Sequence, residues 1–159
     1  MKVTHEFGPY YDKNSEILIL GSIPSPKSRE IGFYYGHPQN RFWKVLEQVY
    51  SEKIEDTIPC KKAFLTKHHL ALWDVLSSCY IKGASDSTIK SPIVNDINQV
   101  ISNSNVKKIY TTGKTAYNLY NKYCYKKTNI KAVYLPSTSP ANCRLKLQDL
   151  TEEYKILKN

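Results

Sequence analysis

Short apolar runs alternate along this chain with segments of helical spacing. The runs typical of strands cover residues 17–20, 106–110 and 131–135, with a weaker candidate at 70–73. Between them, apolar side chains recur every three or four residues, as in Phe42, Val45, Leu46 and Val49 and again in Ala116, Leu119, Tyr120 and Tyr123. This alternation predicts an α/β fold, in which helices cover both faces of a parallel sheet.

The ends of the predicted strands indicate where a site would form. Three of them are followed by segments rich in small polar residues, at 21–28, 111–114 and 136–142. Because ligands of open α/β sheets bind beyond the carboxyl ends of the strands, we expect these loops to converge. The last apolar pattern places Leu147, Leu150, Tyr154 and Leu157 on one face and predicts a docked helix.

Length and charge narrow the class of protein. The 159 residues fit one domain, 1–159, and the net charge of +9 favours a polyanionic partner, nucleic acid before an anionic membrane. No stretch approaches the roughly 20 consecutive apolar residues of a membrane span. The first residues lack the apolar segment of a signal peptide. We therefore expect a cytoplasmic protein that binds no membrane.

The cysteines and histidines do not follow the spacing of metal sites. The cysteines are Cys60, Cys79, Cys124 and Cys143, and they include no C-x-x-C pair. We expect reduced thiols that serve as small buried apolar side chains. His68 and His69 are adjacent, so their side chains diverge and fit a surface turn. We expect neither a metal ion nor a cofactor.

One short segment is similar to a phosphate-binding loop without completing its motif. Gly113-Lys114-Thr115 follows a predicted strand, but the motif requires Gly at position 108, where this chain has Lys. The sequence therefore excludes a nucleoside triphosphatase. Two alternatives remain for residues 111–113, namely a turn whose N–H groups hold a DNA phosphate and ordinary helix capping.

Aromatic side chains in a loop favour binding of a nucleobase. Tyr34 and Tyr35 lie between Gly32 and Gly36, which indicates a loop rather than the interior of an element. Loop aromatics beside basic residues suit base stacking, and we favour Tyr35 as a stacking platform over core packing. Residues 135–144 combine prolines, hydroxyls and a small apolar tip. That composition suits contact with a nucleic acid groove, or a capped loop before the last helix.

Four segments carry a family resemblance. They are Gly21-Ser-Ile-Pro24, Tyr35-Gly-His-Pro-Gln-Asn-Arg-Phe-Trp43, Leu70-Ala-Leu-Trp-Asp74 with Gly83-Ala-Ser-Asp86, and Ser137-Thr-Ser-Pro-Ala-Asn142. In this order they resemble the uracil-DNA glycosylase superfamily, most closely its hypoxanthine-DNA (deoxyinosine) glycosylase branch, over residues 17–144. The resemblance implies a three-layer α/β/α sandwich around a short, mostly parallel central sheet. It also implies a monofunctional hydrolase of base excision repair that flips a damaged base from DNA and cuts its N-glycosidic bond.

The resemblance assigns catalytic roles. Asn40 would orient water toward the anomeric carbon, because Ile23 replaces the carboxylate or amide that many members carry in the first motif. The backbone N–H groups of Ser22 and Ile23 and the hydroxyls of Ser137 and Ser139 would stabilise the departing base. Ser137 stands where strong uracil enzymes carry His, so we expect slower chemistry on uracil.

Contacts with the base and with DNA are implied in the same way. Tyr35 would stack on the flipped base, in a pocket that Ile23, His37 and Thr112 help to line. The residues implied at the DNA are Ser25, Lys114, Ala141, Asn142 and Arg144. Among these, Ala141 and Asn142 would fill the space that the flipped base leaves in the duplex. Lys114 and Arg144 would bind flanking phosphates. Ser25 stands where many members of the superfamily have Gly, and Thr112 stands where deoxyinosine enzymes often have Asn. These differences leave the preferred base open.

The leading hypothesis is a DNA glycosylase for hypoxanthine or uracil, acting as a monomer on double- or single-stranded DNA. The alternative is a catalytically weak or inactive module that binds damaged DNA and releases no base. A third hypothesis, an enzyme of free nucleosides or nucleotides, is disfavoured by the net charge and the wedge-like loop. Trp43 and Trp73 are expected in the core or the pocket wall.

Overall fold

The structure is a computed structural model that describes residues 1–5, 7–83 and 85–158. Its strands are β1 (Lys2–Thr4), β2 (Ile17–Gly21), β3 (Leu70–Asp74), β4 (Leu76–Lys82), β5 (Ser85–Val94), β6 (Lys108–Thr112) and β7 (Ala132–Leu135). Its helices are α1 (Pro26–Ile31), α2 (Phe42–Tyr50), α3 (Ile58–Lys67), α4 (Asn98–Ser102), α5 (Lys114–Tyr123), α6 (Tyr125–Thr128) and α7 (Leu147–Tyr154). A 3₁₀ helix, Lys155–Lys158, follows α7 directly.

Four strands form a parallel sheet in the order β3-β2-β6-β7. All four correspond to apolar runs of the sequence, which confirms the predicted α/β fold with a short parallel sheet. β6 begins and ends two residues later than predicted, because Thr111, although polar, is fully buried in the strand. β2 lies between β3 and β6, so its buried side chains form the middle of the core.

Helices with one apolar face flank this sheet, as the sequence predicts. In α2 the buried side chains are Phe42, Trp43, Val45, Leu46 and Val49. Helix α7 packs against α2, and α5 packs against β6 and β7. Trp43 and Trp73 are both buried, as expected for side chains of the core or the pocket wall.

A second sheet was not predicted from the sequence. β1, β4 and β5 pair antiparallel in the order β1-β4-β5. β5 is largely exposed and β1 has three residues, so neither shows an apolar run. The turn from β3 into β4 secures the first loop of the site, since the N–H groups of Val75 and Leu76 donate to the carbonyls of Gly21 and Ser22 at 2.8 and 3.0 Å.

The first loop is more ordered than the sequence indicated. Residues 21–28 were expected to be irregular, but α1 begins at Pro26, whose fixed φ suits the first turn of a helix. Ser25 caps this helix, with its hydroxyl accepting a hydrogen bond from the Ser28 N–H at 3.2 Å. In the third resembling segment, Ala84 lies outside the described residues.

The expectation of buried cysteines is wrong for half of them. Cys79 and Cys124 are buried and fill apolar space, whereas Cys60, on α3, and Cys143 are exposed. His68 and His69 occupy the turn between α3 and β3, as predicted. Among the described residues, no helix combines the length and apolar character needed to cross a membrane.

This difference in burial predicts two classes of thiol. Burial raises the pKa of Cys124 to about 11 and also raises that of Cys79. At pH 8 iodoacetamide should therefore modify Cys60 and Cys143 rapidly and leave the other two unmodified, because the thiolate is the reactive form. Peptide mass spectrometry would locate the labels. Prior unfolding in guanidinium should expose all four thiols, and rapid native labelling of Cys124 would contradict the packing described here.

Candidate active site

A cavity of about 120 Å³ opens where β2, β3 and β6 end. It is lined by Gly21, Ser22, Ile23, Pro24, Ser25, Ser28, Tyr34, Tyr35, Asn40, Asp74, Ile81, Gly83, Asp86, Thr112, Ser137, Thr138 and Ser139. All three polar segments predicted to converge contribute residues to this lining. Gly113 shows how closely two of them approach, because its φ is +90° and an added Cβ would lie 3.4 Å from the Cβ of Ser137.

A larger depression of about 800 Å³ lies near the amino ends of β2 and β6, beside Ile17 and Lys107. No residue predicted for the site from the sequence lines it. The smaller cavity therefore remains the candidate, since it is the one at which the strand ends and the polar segments meet.

Eight of the predicted site residues line the cavity together. They are Ser22, Ile23, Ser25, Tyr35, Asn40, Thr112, Ser137 and Ser139. His37 does not line it and instead faces a neighbouring groove, beside Pro38 and Lys44. Lys114, Ala141 and Arg144 are exposed and Asn142 is half-buried, all four outside the cavity.

Tyr35 and Tyr34 differ in their surroundings. Tyr34 belongs to the core, where its hydroxyl donates to the carbonyl of Gly8 at 2.9 Å. Tyr35 is half-buried, with a left-handed φ of 54°, and its ring stacks on Phe42 at a centroid distance of 3.8 Å. Its hydroxyl lies 3.1 Å from the hydroxyl of Thr112. Phe42 and Thr112 thus fix the Tyr35 ring in the cavity wall.

Asn40 is held by two hydrogen bonds to its side-chain oxygen. Oδ1 accepts from the Phe42 N–H at 2.9 Å, at the start of α2, and from the Thr138 hydroxyl at 2.8 Å. The backbone donor identifies this atom as the oxygen rather than the nitrogen of the amide. The plane of the Asn40 amide is therefore set by both α2 and the last loop.

Arg41 organises the last loop, a role that the sequence interpretation missed. Its guanidinium donates to the carbonyls of Ser139 at 2.9 Å, Asn142 at 2.8 Å and Leu145 at 2.5 Å. The Arg41 N–H also donates to the carbonyl of Thr138, at 3.1 Å. The planar fork of arginine suits several carbonyls at once. Its place directly after Asn40 was the available signal, but its partners lie about a hundred residues away.

Within the last loop, the two serines act first as turn formers. The Ser137 and Ser139 hydroxyls accept hydrogen bonds from the N–H groups of Ser139 and Ala141, both at 3.1 Å. The Asn142 amide donates to the carbonyl of Ser137 at 2.9 Å. These bonds account for the compact loop before α7 and orient both serines on the cavity wall.

Asp74 is a second residue of the site that was quoted in a motif but given no role. It is the last residue of β3, and its carboxylate forms a 2.8 Å contact with His5 Nε2 in which both side chains are at most 5% exposed. Burial raises the pKa of Asp74, and the hydrogen bond from His5 opposes the rise. An added Cβ on Gly21 would lie 2.5 Å from Asp74 Oδ1, so glycine is required at that position.

Asp86 brings another carboxylate to the cavity. It is exposed as a residue, yet its Oδ1 accepts a hydrogen bond from the buried Ser22 hydroxyl at 3.0 Å. Desolvation raises the pKa of this carboxyl, the Ser22 hydrogen bond lowers it, and the charge of Asp74 raises it. Among the described residues, no group of three or more His, Cys, Asp or Glu side chains is placed to hold a metal ion.

Comparison with known proteins agrees with this geometry. A family model described as the uracil DNA glycosylase superfamily matches residues 9–157. A hypoxanthine DNA glycosylase of Methanosarcina acetivorans is 40% identical over 91 residues, which cover 57% of this chain and 58% of the relative. Its counterpart in Methanosarcina barkeri is 37% identical over 90 residues, 56% of this chain and 57% of the relative. The matches thus span little more than half of these relatives.

A solved structure is similar over the whole chain. It is the solution NMR structure of a provisionally assigned uracil DNA glycosylase from Methanosarcina acetivorans. The two share a TM-score of 0.80 and 29% sequence identity, and each chain is covered completely. This similarity supports the predicted α/β/α arrangement around the parallel sheet.

Replacing Arg41 by Lys should loosen the last loop. Lysine keeps the charge but loses the fork, so several loop carbonyls lose their donor and the free energy of unfolding should fall by about 1–3 kcal/mol. Urea denaturation would measure the change, and limited proteolysis should detect faster cleavage within residues 138–145. The exposed Arg144→Lys serves as the matched control and should shift the free energy by less than about 0.5 kcal/mol. Equal stability of the two variants would contradict the role of Arg41.

Proposed function

This chain belongs to the uracil DNA glycosylase superfamily, and from that premise we propose that it is a monofunctional DNA glycosylase for deaminated bases. It would take hypoxanthine or uracil flipped out of DNA and hydrolyse the N-glycosidic bond, the first step of base excision repair. The observation that carries this proposal is the small cavity at the strand ends, whose lining includes Tyr35, Asn40, Ser22, Ser137 and Ser139. Both curated relatives are named for hypoxanthine.

The size of the cavity fits a single base. One water molecule needs roughly 10–15 Å³ of such space, so the 120 Å³ present can hold on the order of ten small atoms. Hypoxanthine has about that many non-hydrogen atoms. Tyr35, fixed by Phe42 behind it, offers a ring on which a base can stack, a contact worth about 1–3 kcal/mol.

We assign Asn40 the task of orienting the attacking water. Its side-chain oxygen accepts two hydrogen bonds. The Phe42 N–H is fixed at the start of α2, whereas the Thr138 hydroxyl can rotate away. Water that replaces the Thr138 hydroxyl on Oδ1 would donate a hydrogen to Asn40 and keep an oxygen lone pair for the anomeric carbon. An amide is too weak a base to deprotonate this water, so bond cleavage runs ahead of its attack.

The reaction then depends on stabilising the departing base. The C1′–N bond breaks and its electron pair leaves with the base, while the water oxygen bonds to C1′ and a proton passes through solvent to the base. The hydroxyls of Ser137 and Ser139 accept backbone N–H groups, which leaves their hydrogens available to the base. Among the described residues, no lysine lines the cavity, which supports hydrolysis without a covalent intermediate.

A damage-binding module with weak chemistry is the second candidate. The observation that favours it is the occupied oxygen of Asn40, together with Ile23 in place of a first-motif carboxylate. Two tests separate the candidates: release of a base, and dependence of that release on Asn40.

The deciding assay uses duplex and single-stranded oligonucleotides that carry one deoxyinosine, deoxyuridine or deoxyxanthosine. Abasic sites are converted to strand breaks with alkali, without added metal. The wild-type protein should produce breaks at deoxyinosine, and more slowly at deoxyuridine. Damage-selective gel retention without breaks would favour the binding module.

Truncation of Asn40 should separate binding from chemistry. In Asn40→Ala we expect base release to fall at least about 100-fold, since the water loses its orientation, while DNA affinity persists. Asn40→Asp keeps an acceptor oxygen and should retain more activity than the alanine variant. Asn14→Ala, in an exposed turn, is the matched control. Full activity of Asn40→Ala in single-turnover assays would remove the proposed mechanism.

Exposed basic residues near the cavity should govern the salt dependence of DNA binding. Lys114 begins α5 beside the cavity, and Arg144 lies in the last loop. If each contacts one phosphate, Lys114→Gln and Arg144→Gln should each reduce the slope of log K against log salt by about one. Lys13→Gln, which precedes the amino end of β2, should leave the slope unchanged. Fluorescence anisotropy over a series of salt concentrations measures this slope. Identical slopes for all variants would show that the DNA does not contact Lys114 or Arg144.

A further inference from the structure

We propose that Asp74 recognises the lactam N–H that deamination creates in a base, N1–H of hypoxanthine or N3–H of uracil, and that His5 is the positioning residue behind it. This inference rests on the proposed function and specifies how the same cavity distinguishes a deaminated base from the amino base from which it derives.

The geometry gives the two oxygens of Asp74 different surroundings. Oδ2 contacts His5 Nε2 at 2.8 Å, behind the cavity wall. Oδ1 lies over Gly21, whose missing side chain leaves it room, and no described residue donates a hydrogen bond to it. Asp74 is part of the cavity lining, together with Tyr35 and Asn40. A base stacked on Tyr35 would therefore present its edge to an acceptor to which no described residue donates.

The chemistry of the bases lets a carboxylate distinguish hypoxanthine from adenine and uracil from cytosine. An ionised carboxylate only accepts hydrogen bonds. Hypoxanthine and uracil carry a ring N–H beside their new carbonyl, whereas adenine and cytosine carry an unprotonated ring nitrogen there. In a closed cavity that nitrogen would face Oδ1 with no hydrogen between them. A site built around a substrate N–H rejects analogues that lack it far more strongly than a site that reads shape alone.

Selectivity of this kind requires Asp74 to be ionised. Burial leaves its pKa above the ordinary value, and the hydrogen bond and charge of His5 offset part of this rise. The other ionisable groups around it are Tyr34, Tyr35 and Asp86. Tyr34 and Tyr35 are neutral at physiological pH, since burial and Asp74 raise their pKa values, and Asp86 adds negative charge. His5 is therefore the group that favours the carboxylate, and its side chain is 3% exposed.

The test compares Asp74→Asn with wild type on duplexes that contain deoxyinosine or 1-methyl-deoxyinosine. The methyl group removes the N1 hydrogen and keeps the carbonyl. For wild type we expect single-turnover release of the methylated base to be slower by about 10- to 100-fold or more. The amide variant can turn its NH₂ toward the base, so release of hypoxanthine should fall by a similar factor while the methyl group costs little further. Asp56→Asn, at a side chain 96% exposed, is the control and should match wild type.

The outcomes are distinct. If Asp74→Asn and the methyl group together slow base release no more than either does alone, the contact between Asp74 and N1–H is established. If the two fold-losses in rate multiply instead, Asp74 acts independently of N1, and that result would overturn the inference. If Asp74→Asn does not fold, the wild-type comparison decides, since a penalty below about threefold for the methyl group rules out an N–H contact. Failure of the proposed function looks different, because wild type would then release no hypoxanthine at all.

His5 is tested by the pH profile of hypoxanthine release. His5→Ala removes the hydrogen bond that lowers the pKa of Asp74, so the fall of the rate on the acidic side should move to higher pH. His5→Gln restores an N–H donor and should move it back toward wild type. A purely structural role would lower the rate at every pH alike, and that result would overturn the assignment of His5.

Discussion

The pairing of β2 between β3 and β6 is the constraint on which the site depends. In its parallel register Gly21 lies opposite Asp74, and Leu20 opposite Thr111. This register brings the carboxyl ends of the three strands to one edge, where the chain leaves each strand into a polar segment. A shift by one residue would bring Leu20 or Ser22, each with a side chain, opposite Asp74 in place of Gly21. Because any side chain at Gly21 would collide with Asp74 Oδ1, the register also dictates glycine there.

The sequence predicted those parts of the fold that depend on apolar periodicity. The four parallel strands and the helices α2, α5 and α7 each carry enough buried apolar positions to be recognised. The sheet of β1, β4 and β5 was missed, because the exposed β5 is held by backbone pairing rather than by apolar burial. Eight predicted residues do line the cavity. Arg41 and Asp74 were overlooked for another reason: their partners lie 69 to 104 residues away, and no local spacing encodes such contacts.

The charges of the protein divide between its surface and its cavity. The net charge of +9 is carried by side chains such as Lys114 and Arg144, which are exposed, whereas the cavity is lined by the carboxylates of Asp74 and Asp86. Phosphates are attracted to the first set and repelled by the second. A strand of DNA would therefore keep its backbone outside and offer only a base to the cavity. This separation also disfavours free nucleotides, whose phosphates would have to approach the same carboxylates.

Thr138 connects the last loop with the side chain proposed to orient water. Its carbonyl accepts the N–H of Arg41, and its hydroxyl donates to Asn40 Oδ1. Arg41 in turn fixes the carbonyls of Ser139, Asn142 and Leu145. The position of the loop and the plane of the Asn40 amide therefore cannot vary independently, since a shift of the loop moves one of the two donors on that oxygen. A partner that presses on the exposed tip at Ala141 would act on the same chain of hydrogen bonds, so a contact at this tip would be mechanically linked to the orientation of Asn40.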